Sequence, residues 1–405
     1  MYACRHCGAP LTEEFIDLGH QPPSNAYLAA DALDRPETHF PLKAFVCTQC
    51  WLAQLPAHAA ASELFTADYA YFSSTSKAWQ AHARRYVEAM AGRFGLGPHS
   101  RVIEVASNDG YLLQFVKERG IPCLGIEPTA STAAAARAKG IETLELFLGE
   151  ATAREVAQAH GRADLIAANN VLAHVPDIND FVRGIAGLLA PAGVATFEFP
   201  HLLSLLEGLQ FDTIYHEHFS YLSLTAATRI LEAAKLRVFD VELLPTHGGS
   251  LRLFACHAEA DRPAGGSVAA LLAKEDAAGL RDLRAYARLQ TAAERIKDEL
   301  LTFLIGEKRA GRRVAAYGAA AKGNTLLNFA GVKPDLLPFV CDAAPSKQGR
   351  FMPGSHIPIL PPEALTNEKP DTVLILPWNL ADELVESLAG VREWGGRFAI
   401  AVPRL

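Results

Sequence analysis

Four short apolar runs, at residues 101–106, 121–126, 164–168 and 194–199, alternate with stretches whose apolar positions recur at helical spacing, as at 111–119 and 130–139. Runs of this length bounded by turn residues predict strands, and the stretches between them predict amphipathic helices. Their regular alternation predicts an α/β fold, a mostly parallel sheet with helices on both faces. A helical pattern from 79 to 94 precedes it. Near residue 246 the pattern changes. Residues 250–256 read as a strand, 271–307 as one long helical region, and 313–317 as a strand opening onto Gly318-Ala319-Ala320-Ala321-Lys322-Gly323-Asn324. Strand-like 339–341 and 372–376 follow, predicting a second, smaller α/β unit. The chain up to about residue 65 is rich in Pro and turn formers, with Gln21-Pro22-Pro23-Ser24-Asn25 as a loop, and offers little core of its own. A length of 405 residues exceeds one compact core, and the predicted units are 1–65, 66–245 and 246–405.

Composition adds mainly exclusions. The chain is 50% hydrophobic and 20% charged with a net charge of −7, which excludes the basic footprint of a nucleic-acid binder. No apolar run is long enough to span a bilayer, so no membrane partner is expected. Polar Cys4-Arg5-His6-Cys7 interrupts the apolar start that a signal peptide needs, and the cytoplasm is the expected compartment. Oligomeric state is left open.

Four of the cysteines fall into two C-x2-C pairs, Cys4 with Cys7 and Cys47 with Cys50. Thiols in a reducing compartment stay free, and two such pairs near one terminus read as a Cys4 zinc site. Thiolate fills every position, so the metal is structural and holds no water for chemistry. A redox C-x-x-C pair is the competing reading, and two pairs in one short segment count against it. Metal binding would supply folding free energy that the segment lacks.

In a parallel sheet the ligand lies beyond the carboxyl ends of the strands. There, Glu104-Val105-Ala106-Ser107-Asn108-Asp109-Gly110 ends the first strand and opens a helix, and Gly125-Ile126-Glu127-Pro128 ends the next. The Glu127 carboxylate is placed to accept from both ribose hydroxyls of a nucleoside. A dinucleotide loop needs G-x-G-x-x-G, but one glycine remains here, and Glu104 and Asp109 would repel a pyrophosphate. S-adenosylmethionine, a sulfonium with an amino group, tolerates both carboxylates. Asn169-Asn170-Val171-Leu172-Ala173-His174 follows the third strand, which puts Asn169 and Asn170 near the cofactor and His174 near the donor methyl; a core histidine is the alternative.

Tyr215-His216-Glu217-His218 places two imidazoles, a carboxylate and a phenol within four residues past the last strand of this sheet. Imidazole exchanges protons near neutral pH, which is what acid–base catalysis needs. A catalytic metal on His216 and His218 is disfavoured, because H-E-H lacks the i,i+4 spacing of a helical zinc pair. Lys322-Gly323-Asn324-Thr325 lacks the order of a nucleotide-hydrolysing loop. As a strand-to-helix turn it still offers backbone donors and a point charge to a diphosphate. Lys347 and Arg350 carry a weaker version of the same expectation.

These motifs, in order along nearly the whole chain, resemble the sugar C-methyltransferase family, which methylates C3 of nucleotide-activated 4-keto-deoxyhexoses. The residues that carry the resemblance are the C-x2-C pairs, Glu104 to Gly110, Gly125 to Pro128, Asn169 to His174, Tyr215 to Tyr221, Tyr317 to Leu327 and Lys347 to Arg350. The resemblance implies an N-terminal zinc module, a central class I methyltransferase domain with a Rossmann-like fold, and a C-terminal second Rossmann-like domain that helps hold the nucleotide sugar, with dTDP as the expected nucleotide. It also implies His218 as base, with Tyr215, Glu217 and His174 as neighbours and a tyrosine from the preceding segment, Tyr71 or Tyr69. On this reading His218 removes the C3 proton, Glu217 orients an imidazole or holds a sugar hydroxyl, and His174 with a tyrosine hydroxyl stabilises the enolate oxygen. An O- or N-methyltransferase on another small molecule is the main alternative, a non-enzymatic binding protein the next, and a dehydrogenase is opposed by the missing glycines.

Overall fold

The computed structural model describes residues 2–58 and 72–405. The N-terminal module opens with a hairpin of β1 (Tyr2–Ala3) and β2 (Pro10–Leu11), followed by β3 (Glu13–Gln21), β4 (Phe40–Val46) and β5 (Ala53–Gln54). Alternate residues Leu42, Ala44 and Val46 of β4 are buried while Lys43 and Phe45 lie on the other face, the period-2 signature of a half-buried strand. The buried face packs on Tyr286, Leu289, Ile296 and Leu300 of a helix far along the chain. A fully buried Leu or Phe contributes about 1.5–3 kcal/mol. The module has little core of its own, as expected, and another part of the chain completes it.

The central sheet comprises β6 (Val102–Val105), β7 (Cys123–Ile126), β8 (Thr143–Leu144), β9 (Ala163–Asn169) and β10 (Leu189–Pro200). After β11 (Ser220–Tyr221), β12 (Leu236–Leu244) and β13 (Ser250–His257) complete it, in the order β12-β13-β10-β9-β6-β7-β8. Strands β6 to β10 in it are parallel, and β13 runs antiparallel to both its neighbours. This is a class I methyltransferase sheet. The expected boundary at 245/246 passes between β12 and β13. Seven consecutive buried residues in β13 mark an interior strand of this sheet. β11 leaves the central sheet and pairs with β5, so the N-terminal sheet runs β11-β5-β4-β3.

The helical region expected over 271–307 comprises two helices, Gly266–Ala277 and Leu283–Arg309. Gly279 at φ 83° breaks the first, and Asp282 caps the second by accepting from the Arg284 amide at 3.0 Å. Glu275 of the first accepts from the Leu224 amide at 2.6 Å, which fixes that helix to the central unit. The second lies under β3 and feeds the C-terminal sheet.

That sheet is β14 (Val314–Tyr317), β15 (Val340–Cys341), β16 (Ile359–Leu360), β17 (Thr372–Ile375) and β18 (Arg397–Ala399), all parallel, ordered β16-β15-β14-β17-β18. Both parallel sheets reverse their strand order at a first strand, β6 and β14. The loops after these strands, 106–110 and 318–324, therefore sit at switch points, where crevices form. No helix among the described residues is long and apolar enough to cross a membrane.

Candidate active site

The loop after β6 winds through three left-handed residues, Ala106 at φ 56°, Asn108 at 49° and Gly110 at 74°. Two of them are not glycine, and such backbone persists at functional loops where the surroundings impose it. A Cβ at Gly110 would come within 2.5 Å of Ile141, so only glycine fits. From the end of β7, the buried Glu127 carboxylate accepts the Asn108 amide through Oε2 and the Thr129 amide through Oε1, both at 2.9 Å. Its remaining lone pairs are free for hydroxyl donors. Pro128 follows it, half-buried. Ser107 Oγ, both side-chain polar atoms of Asn169 and Asn170 Oδ1 are buried without partners around this loop, and Asn170 is itself left-handed at φ 53°. Unspent buried polar capacity of this kind fits a ligand rich in hydroxyl and amino groups.

Glu104 and Asp109 do not form the bare negative lining expected. Burial pushes the Glu104 carboxyl well above the usual range, with Glu127 and Asp109 adding to the push. Asp109 turns to Lys139, at 3.1 Å, and to the Ser74 hydroxyl.

Past β10 the chain makes a 3-10 turn at Phe211–Thr213 and then a second turn closed by the His218 amide on the Tyr215 carbonyl at 2.9 Å. His218 Nδ1 lies 2.9 Å from the Thr213 carbonyl. A carbonyl can only accept, so Nδ1 carries the proton and Nε2 carries the lone pair. The His174 ring lies 4.7 Å from that of His218 and the Tyr215 ring 4.0 Å. Burial pushes His218 well below the usual histidine range, and His174 adds to it. Burial also lowers His174 to about 4. Both imidazoles are neutral at pH 7. His216 points the other way, buried edge-on to Phe40 with ring centroids 5.8 Å apart. Tyr69 and Tyr71 lie outside the described residues.

One neighbour was not foreseen. Asn25 Nδ2 donates to Glu217 at 2.7 Å, and Tyr27 donates to the Ala319 carbonyl at 2.5 Å. The turn-rich stretch read only as a loop thus joins the N-terminal module to both other units. The adjacent Pro22-Pro23, which stiffens this loop, is the one local sign that its position matters.

The turn after β14 divides. Lys322 projects toward the same cluster. Its amine lies 2.5 Å from Asn379 Oδ1 and 4.3 Å from the Trp378 ring centroid, while Trp378 donates to Asp212 at 2.8 Å. Burial lowers Lys322 to about 8, opposed by the Asp212 charge, and burial raises Asp212 to about 6. Asn324 Nδ2 donates to the Ser24 carbonyl at 2.6 Å while its Oδ1 is buried without a partner among the described residues, and the fully buried Thr325 hydroxyl donates to the Ile214 carbonyl at 3.0 Å, so the helix start also ties the units together. Lys347 donates to the Ala319 carbonyl at 2.8 Å and pairs with Asp342 at 3.3 Å, while Arg350 is exposed. Thr325→Val should cost about 1–3 kcal/mol, because it leaves the Ile214 carbonyl buried and unpaired. Urea unfolding checks this, and a substrate KM changed more than threefold at retained stability would contradict the structural role.

Family models match three segments in order: a zinc binding domain at 4–65, a methyltransferase domain at 77–241 and a C-methyltransferase C-terminal domain at 245–403. The C-methyltransferase NovU of Streptomyces niveus is 35% identical over 400 residues, which cover 99% of this chain and 95% of that protein. The chain belongs to the C-methyltransferase family. A ubiquinone biosynthesis O-methyltransferase of Sodalis glossinidius is 31% identical over 113 residues, covering 27% of this chain and 44% of that one. Among solved structures, the magnesium protoporphyrin IX methyltransferase of Synechocystis with bound SAH matches at 15% identity, 44% of this chain, 83% of its own and a TM-score of 0.35, too low a score to argue from.

S-adenosylmethionine is the cofactor of this methyltransferase. Zinc is its structural metal. Four thiolates at about 2.3 Å from one zinc stand about 3.8 Å apart. Here the Cys4–Cys50 and Cys7–Cys47 sulfurs are each 3.5 Å apart, and all four lie within 4.8 Å of one another. Gln54 Nε2 donates to Cys4 Sγ at 3.1 Å, a partner beyond the ligands of the kind that orients them. Among the described residues this is the one group of three or more such side chains close enough to hold a metal ion, and the His216–His218 segment is not part of it.

Proposed function

We propose that this C-methyltransferase methylates C3 of a nucleotide-activated 4-keto-deoxyhexose through an enolate. The observation that carries the proposal is His218, a neutral imidazole whose Nδ1 is engaged by Thr213 and whose lone pair is on Nε2, packed against His174 and Tyr215. A C–H beside a ketone is acidic because its electron pair can move onto the carbonyl oxygen. His218 takes the C3 proton, and His174 and Tyr215 face the charge that develops. Glu217, held by Asn25, accepts from a sugar hydroxyl. Lys322 supplies positive charge, and the switch point after β14 offers the nucleotide end a crevice in the C-terminal unit. Bound S-adenosylmethionine supplies the electrophilic methyl that the enolate carbon captures. Glu127 and the Ala106–Gly110 backbone place it, and positioning of this kind accounts for much of the rate.

Exchange at C3 in D2O tests the proposal directly, with a panel of nucleotide 4-keto-6-deoxysugars. Wild-type protein should wash in deuterium above the enzyme-free background; no exchange and no methyl transfer across the panel would overturn it. The pH profile of kcat/KM follows from the two perturbed groups. His218 works unprotonated and its pKa is depressed, so activity persists below pH 6.5 and falls only on further acidification. Lys322 works protonated, so activity declines as pH rises through about 8. Lys322→Arg should remove that alkaline limb, and a limb that stays in place would discharge Lys322 from the role.

A further inference from the structure

The turn between β12 and β13 brings another imidazole into the same cleft. Within the 3-10 turn Thr246–Gly248, His247 takes φ 55° and ψ 23°, followed by Gly248 and Gly249 at φ 86° and 116°. A left-handed non-glycine residue costs about 1–2 kcal/mol. The surroundings impose it here. Thr246 donates to Glu198 of β10 at 3.2 Å, Gln210 donates to the Gly248 carbonyl at 2.7 Å, and the Trp378 ring fills the space a side chain at 248 would need.

The His247 ring meets Trp79 edge-to-face at 5.0 Å, and Trp79 stacks on Tyr111, the residue after the cofactor loop, at 5.9 Å. On its other side the turn packs on Trp378, whose ring lies 4.3 Å from the Lys322 amine. The turn therefore joins the Trp79–Tyr111 stack to the Trp378–Lys322 pair, and the Lys322 charge acts on both His247 and His218. Burial and Lys322 lower it to about 4, against the opposing pull of Glu198, so it is neutral at pH 7. Nδ1 is buried with no hydrogen-bond partner among the described residues. An unpaired buried acceptor is tolerated better than an unpaired buried N–H, so the proton belongs on Nε2, facing the cleft.

Neither backbone nor packing explains a histidine at this position. Glycine or asparagine would relieve the left-handed strain. Phenylalanine would pack on Trp79 without burying an unpaired nitrogen, which costs about 1–3 kcal/mol. What histidine adds is a neutral N–H donor in the cleft.

We propose that His247 contacts the substrate's carbonyl oxygen as a neutral Nε2–H donor and stabilises the enolate charge there. The inference rests on the carbon-acid reading above. As the C3–H bond breaks, its proton passes to His218 Nε2 and its electron pair forms the C3=C4 bond. The carbonyl π pair moves onto oxygen, where His247 donates a hydrogen bond and keeps its own proton. A neutral donor is suited to this place, since an imidazolium beside Lys322 would be repelled. Preorganised donors of this sort contribute about 10²- to 10³-fold in rate.

The test uses the full chain with S-adenosylmethionine, comparing wild type, His247→Phe and His247→Gln for C3 exchange in D2O, methyl transfer, donor affinity by calorimetry and Tm. His247→Phe should cut exchange and kcat about 10²-fold while the donor Kd stays within about threefold. His247→Gln, whose amide nitrogen reaches the Nε2 position, should recover at least about tenfold of that. If wild type exchanges and His247→Phe matches it, the inference alone falls. It falls also if both variants lose rate equally with a parallel loss of donor affinity or Tm, the signature of a packing role. If wild type does not exchange, the carbon-acid reading falls and takes this inference with it.

Discussion

His218→Ala is expected to abolish C3 exchange and methyl transfer together, by about 10²- to 10⁴-fold, with S-adenosylmethionine affinity unchanged within a few-fold. The two activities fall together because proton removal precedes carbon–carbon bond formation. Of its neighbours, Glu217 is already held by Asn25. The cofactor loop is built from β6 and β7 and does not include residue 218, so donor binding is a control for folding. An acceptor oxygen or nitrogen would need no base strong enough for a C–H bond. A loss of less than about tenfold in His218→Ala would therefore sink the carbon-acid chemistry and favour an O- or N-methyl acceptor.

What the sequence made legible are features set by neighbours in the chain. Strands β6, β7, β9 and β10 and the motifs at their carboxyl ends follow from short-range periodicity. The Tyr215–His218 run proposed as catalytic lies within four residues, and the two C-x2-C pairs carry the metal site. What stayed hidden depends on contacts between distant segments. Asn25 lies 192 positions from Glu217, and nothing local to a proline-flanked turn says which carboxylate it will meet. The Thr325 hydroxyl donates a hydrogen bond to the Ile214 carbonyl, 111 positions away, a contact that no local pattern reveals. β13 follows a change of pattern and so reads as a new unit, though its burial on both faces is that of an interior strand. His247 sits in a Gly-rich turn whose left-handed backbone periodicity does not reveal. His216 and His218 alternate along the chain, and only the turn at Tyr215 sends them to opposite sides.

Removing the zinc is expected to stop methyl transfer while leaving donor binding in place. Structural zinc sites carry about 10–16 kcal/mol of apparent binding free energy in small zinc peptides, so its loss unfolds the module that depends on it. Among its contacts, that module reaches the neighbourhood of His218 through β5 and through the Asn25 loop. Cys4 is tied to Gln54, β5 containing Gln54 pairs with β11, and β11 begins two residues after His218. Leu55 also donates to the Phe219 carbonyl at 3.0 Å, next to the base. Separately, Asn25 holds Glu217 and Tyr27 holds Ala319. The Glu127 cradle has neither link. Cys47→Ser with Cys50→Ser, or chelation, should therefore lower kcat at least about 10²-fold with donor Kd within a few-fold. Metal-stripped protein that turns over at the wild-type rate would disprove the coupling. Asn25→Ala isolates the second route, because it leaves the thiolates and the β5–β11 pairing intact. It should keep zinc bound and Tm within a few degrees while lowering kcat about tenfold, since loss of one hydrogen bond to a charged group is worth about 1.5–3 kcal/mol. An unchanged kcat in that variant would show that the Asn25–Glu217 bond does not carry the module's influence.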